Sequence, residues 1–140
     1  MFKNFFKKKE KENSNEKNIL IIALLIHAAK IDENYTGVEK KIIKMAIMEL
    51  NQIDEDEAEK LLKIAEKKEE ESNQIVEFTK EIKKQPMEFR LKIIEIIWKI
   101  VYSDSTSDNF ESNLIRRICG LLYVSDRDSG MIKLKLKTKQ

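Results

Sequence analysis

Asp32 and Glu39 stand at the same interval as Asp104 and Glu111, and the two pairs are displaced by 72 positions. Each pair is followed by matching apolar residues, Ile42 and Ile43 in one case and Leu114 and Ile115 in the other. An Asp at the end of one helix and a Glu about one turn into the next can be brought to a point by a tight loop, and hard cations take oxygen ligands in that arrangement. Around the first pair, Asp32, Asn34, Thr36 and Gly37 match the opening half of a calcium EF-hand loop. Around the second, Asp104, Thr106, Asp108 and Asn109 give the same half pattern. The position that should carry the bidentate Glu holds Ile43 in one copy and Ile115 in the other, which excludes a complete EF-hand. The candidate metal ligands are therefore Asp32, Asn34, Glu39, Asp104, Asp108 and Glu111, for a divalent cation such as calcium or magnesium. The same residues also serve as helix caps and dipole partners, so capping stays open beside metal binding.

The elements that must position these carboxylates can be read from the apolar spacing. Ile19–Lys30 is apolar nearly all round, which marks a central helix, and Ile42, Ile43, Ala46, Ile47 and Leu50 outline a second. Asp54 followed by Glu57 is a capping-box-like start for a third, with the stripe Ala58, Leu61, Leu62, Ala65. Ile75, Val76, Phe78, Thr79 and Ile82 predict a fourth, stopped before Pro86, which suits the opening of a fifth from Met87 to about Tyr102. After the acidic stretch at Asp104 the plan restarts with Phe110, Leu114, Ile115, Ile118, Leu121 and Leu122. Ser125 with Asp128 then repeats the cap signature before a seventh helix. The predicted fold is all-α: a bundle of about seven helices made of two duplicated helix-elbow-helix-helix units around a pseudo-two-fold axis. Three Gly and one Pro in 140 residues agree with a helical chain of short connections.

The pattern "AAKIDENYTGVE", repeated as "IVYSDSTSDNFE", resembles the tellurite-resistance protein B (TerB) family from about Ile19 to Leu136, with "LYVSDRDSGMIKLKL" closing it as the family's last helix does. The resemblance implies a duplicated all-helical cytoplasmic bacterial domain; a non-enzymatic role is expected from the residues themselves, since two carboxylates can do acid-base work but no pocket chemistry is visible around them. It also implies links to stress and tellurite resistance, and metal association through acidic residues that fall here on Asp32, Glu39, Asp104 and Glu111. The chain departs from the family where Glu33 and Ser105 replace the Gly after the signature Asp, and where Tyr35 and Ser107 replace an aliphatic residue. These changes bear on cation affinity more than on fold. The alternative is a metal-free module whose acidic elbows form a patch for a basic protein partner.

Composition narrows the remaining classes. Lys+Arg 27 against Asp+Glu 25 leaves a net charge of +2, too weak a field to gather nucleic acid. The single cysteine, Cys119, reads as core packing in a reducing cytoplasm. Residues 1–17 carry Lys in excess and predict a basic disordered tail ahead of a helical domain over 18–140. In that tail Phe2, Phe5 and Phe6 with neighbouring Lys could at most touch an anionic membrane surface weakly. No run is apolar for long enough to span a membrane, and no Gly-rich phosphate loop or nucleophile elbow is present. His27 reads as an interhelical hydrogen-bonded residue, Trp98 and Phe89 as core, and the run Glu66–Ser72 as a solvated helix end.

Overall fold

The apolar run 19–29 has no polar face to offer water, so the chain must wrap it. In the computed structural model it does, as the second half of α1 (Phe2–Lys30), where Ile21–Ile26, Ala28 and Ala29 are all buried. Backbone is described over residues 2–30, 37–72, 74–103 and 109–138, and side chains over 16–30, 37–72, 74–102 and 113–136. Around α1 pack α2 (Gly37–Asn51), α3 (Glu55–Glu71), α4 (Ile75–Thr79) and α5 (Met87–Ser103). On α5 lie α6 (Asn109–Leu121) and α7 (Asp126–Thr138), and a 3-10 turn over Ile82–Lys84 links α4 to α5. The described residues contain seven α-helices and no strand, as the sequence predicts.

The core lies where α1 and α5 meet. Ile93, Ile94, Ile96, Ile97, Trp98, Ile100 and Val101 of α5 are buried with the α1 run, Ile43 and Ile47 of α2, and Phe78 of α4. Each such side chain contributes about 1.5–3 kcal/mol on leaving water. Truncating one at the centre, as in Leu24→Ala, costs about 2–5 kcal/mol.

Local chemistry sets the helix ends. Asp54 caps α3, its Oδ1 accepting from the Glu57 amide at 2.9 Å, and Ser125 caps α7, its Oγ accepting from the Asp128 amide at 3.1 Å. Before each cap stands a non-glycine residue in the left-handed region, Gln52 with φ 51° and Tyr123 with φ 57°. At the second of these the amide of Val124 donates to the carbonyl of Cys119 at 2.9 Å and that of Tyr123 to Gly120 at 3.4 Å, a Schellman closure of α6. Pro86 accepts from the Phe89 and Arg90 amides and so starts α5, as expected.

The two turns match in both the cap and the left-handed residue before it. The packing departs from a strict two-fold, because α2 lies directly on α5 whereas α4 packs on both α1 and α6. The fourth helix is shorter than its apolar stripe predicts. Thr79 Oγ1 donates to the Val76 carbonyl at 3.1 Å, closing α4, and Ile82 belongs to the separate 3-10 turn. The backbone of α1 runs from Phe2 without a break into the buried run. A chain free of Gly and Pro propagates a helix readily from an anchored end.

Candidate functional site

Each acidic elbow falls between two helices, as the spacing requires. The first is bracketed by the end of α1 at Lys30 and the start of α2 at Gly37, the second by the end of α5 at Ser103 and the start of α6 at Asn109. Glu39 is the third residue of α2 and Glu111 the third of α6, so the two occupy the same place in the first turn of their helices. There the exposed amides of the helix start favour a negative charge. Glu39 is buried, at 3% exposure, which is rare for a carboxylate and makes it unlike a solvated capping residue. Asp32, Asn34, Asp104 and Asp108 lie outside the described residues, as does the side chain of Glu111. Among the described residues no group of three or more His, Cys, Asp or Glu is gathered as a metal site.

Beside the first elbow the structure builds a polar cluster. Glu69 of α3 is only 5% exposed, and each of its oxygens is taken by the last turn of α1. Lys30 Nζ donates to Oε2 at 2.6 Å, and His27 Nδ1 meets Oε1 at 3.3 Å. The His27 ring also packs at 6.1 Å, tilted, on Phe78 of α4. His27 is thus the interhelical residue the sequence predicts. Glu69 is a correction, since it lies within the run Glu66–Ser72 that reads as solvated. Its burial follows from a partner 42 residues away, which a local charge run cannot disclose. With one oxygen held by the Lys30 ammonium and the other by the His27 ring, Glu69 ties the end of α3 to the end of α1 and so fixes the direction in which α1 enters the elbow.

The corresponding stretch before the second elbow is built differently. Trp98 Nε1 donates to Ser129 Oγ of α7 at 3.1 Å, Lys133 Nζ sits 5.0 Å from the Trp98 ring, and Tyr102 stacks on that ring at 5.8 Å. Tyr102 Oη is shielded from water and has no hydrogen-bond partner among the described residues. Burial pushes the Tyr102 hydroxyl above its ordinary pKa. Burial likewise pushes the Cys119 thiol up, against the smaller opposing effect of its hydrogen bond to Ser129.

Between α2 and α3, Lys44 Nζ reaches Glu55 Oε1 at 2.8 Å and Glu59 Oε2 at 3.1 Å, holding the two helices that follow the first elbow. No helix among the described residues is long and apolar enough to cross a membrane.

Comparison with known proteins agrees with this architecture. The family described as "Tellurite resistance protein TerB" matches residues 18–134, most of the chain. No curated protein and no solved structure matches it significantly.

Proposed function

We propose, from the premise that this chain belongs to the family of tellurite resistance protein TerB, that it is a non-enzymatic, tellurite-resistance-related domain that binds a divalent cation at its acidic elbows. The observation that carries this reading is the burial of Glu39 in the first turn of α2, next to the stretch that contains Asp32 and Asn34. A carboxylate in the first turn of a helix, beside a stretch rich in oxygen ligands, suits a hard cation. Asp32, Asn34 and Glu39 would hold the ion at the first elbow, and Asp104, Asp108 and Glu111 at the second. The ion would supply positive charge that joins two helix ends, setting the rigidity of the elbow and the surface it presents to a protein partner.

The chain's own residues serve that role by orientation. Lys30 and His27 fix the last turn of α1 against Glu69, and Lys44 fixes α2 against α3. Both helices that deliver first-elbow ligands are therefore held from outside the elbow. Isothermal calorimetry with calcium and with magnesium tests the reading. Saturable binding that Glu39→Gln weakens is expected, and no heat of binding for either ion would leave the elbows as an acidic patch for a basic partner.

A further inference from the structure

Between α4 and the end of α6 lies a groove of about 580 Å³, lined by Val76, Lys80 and Lys83 on one side and by Gly120, Leu121 and Tyr123 on the other. Two of its apolar residues are not spent on the core, Val76 at 55% and Tyr123 at 67% exposure, while Leu121 is partly buried against it. Tyr123 also holds φ 57°, a left-handed conformation that a bulky side chain adopts only at a cost, where Gly or Asn is the usual occupant. An exposed aromatic ring does not repay that strain by packing. Gly120 presents bare backbone, with open space where a Cβ would stand, so another chain can approach closely there.

Cations outnumber acids around the groove, although Glu77 also lines it. Lys80 and Lys83 line it, and Arg116 and Arg117, both exposed, precede Gly120 by one helical turn. None of these cations has an ion-pair partner among the described residues. The nearby acids are already engaged, Glu77 with Lys68 at 3.4 Å and with Ser72 Oγ at 2.8 Å, and Glu81 with Lys84 at 3.6 Å. The carbonyls that would make this end of α6 negative are also taken. Arg90 Nη1 donates to Leu122 O at 2.9 Å and to Tyr123 O at 3.4 Å, while the Schellman amides cover Cys119 and Gly120.

We propose that the groove between α4 and α6 docks an acidic amphipathic segment of a partner protein. Its apolar face would rest on Val76, Leu121 and Tyr123, and its carboxylates would meet Lys80, Lys83, Arg116 and Arg117. A concave apolar floor with an exposed Tyr and flanking Arg is the composition of a protein-binding hot spot. A flat lipid surface or a phosphate backbone would use the cations but neither the floor nor the bare backbone of Gly120. The net charge of +2 gives neither of these a strong attraction to the molecule as a whole.

The test is fluorescence anisotropy on the full chain in excess chelator, with a labelled 16-residue amphipathic peptide of Leu and Glu as probe. Saturable binding is expected, weakened at least tenfold by Tyr123→Gly and by the pair Lys80→Glu and Lys83→Glu, and unchanged by Lys63→Glu on α3. Tyr123→Gly separates recognition from folding, because it relieves the left-handed strain and should keep or raise the melting temperature while binding is lost. Equal binding by parent and variants, or equal binding of a Leu and Lys peptide, overturns the proposal. So does anionic phospholipid vesicle or single-stranded DNA binding through the same residues without peptide binding. Self-association that these variants abolish, seen by sedimentation in the absence of peptide, would give the groove to a second copy of the chain and overturn it too.

Discussion

Removing the cation from the Lys30–Glu69 pair should cost more than removing the acid, although Glu69 has two partners and the Lys30 contact is one of them. The reason is unequal burial. The Glu69 side chain is 6% exposed, against 34% for Lys30 and 22% for His27. Lys30→Met leaves a carboxylate that water barely reaches, with only the longer His27 contact at 3.3 Å in place. Stranding a fully buried charge costs about 3–5 kcal/mol. With His27 retained, about 2–3 kcal/mol is expected. Glu69→Leu instead leaves the Lys30 ammonium and the His27 ring, both of which water can reach, and adds apolar contact, so about 1 kcal/mol or less is expected. At roughly 4 °C per kcal/mol for a chain of this size, the midpoints should fall by about 8–12 °C and by about 4 °C or less respectively. The double variant should cost less than the sum of the two, because each change removes the penalty the other exposes. Thermal and urea unfolding followed by far-UV circular dichroism at neutral pH and moderate salt measures all three. A Glu69→Leu variant as unstable as Lys30→Met would refute the reasoning from burial.

Two further outcomes are expected. Gln52→Gly should stabilise the chain by about 0.5–1 kcal/mol, because Gln52 holds φ 51° on an exposed turn and Gly removes that strain at some cost in unfolded-state entropy; a lowered urea midpoint would contradict it. Cys119, buried and with its thiol pKa pushed up by burial, should resist Ellman's reagent at mildly alkaline pH until the chain unfolds; rapid labelling of the folded protein would contradict the core position.

What the sequence discloses and what it conceals divide along the range of the interactions. Asp54 and Ser125 are legible as caps because the bond each makes closes within three residues. Pro86 is legible as a boundary because its ring constrains its own neighbours. The all-round apolar run in α1 announces a central helix without knowledge of what surrounds it. Glu69 could not be singled out, since in the sequence it is one of several similar charges, and only the approach of α3 to α1 selects it for burial. His27 was legible as an interhelical residue, but its partner was not. Likewise the apolar stripe from Ile75 to Ile82 reads as one helix, whereas Thr79 turning its hydroxyl onto the Val76 carbonyl divides it. At the elbows the spacing places Glu39 and Glu111 correctly in the first turns of α2 and α6. The burial of Glu39 is a tertiary fact that the spacing alone does not contain.

Cation binding at the elbows is tested most directly by the unfolding midpoint of the parent chain in excess chelator and in millimolar calcium or magnesium. A ligand bound only by the folded state adds RT ln(1 + [L]/Kd), about 2.7 kcal/mol at a hundredfold excess over Kd, or roughly 10 °C here. The parent should gain such an increment with at least one of the ions. Asp32→Asn and Asp104→Asn should reduce or abolish it while leaving the midpoint in chelator nearly unchanged, because Asn preserves capping but not charge. A parent midpoint that moves with neither ion would contradict the cation-binding account.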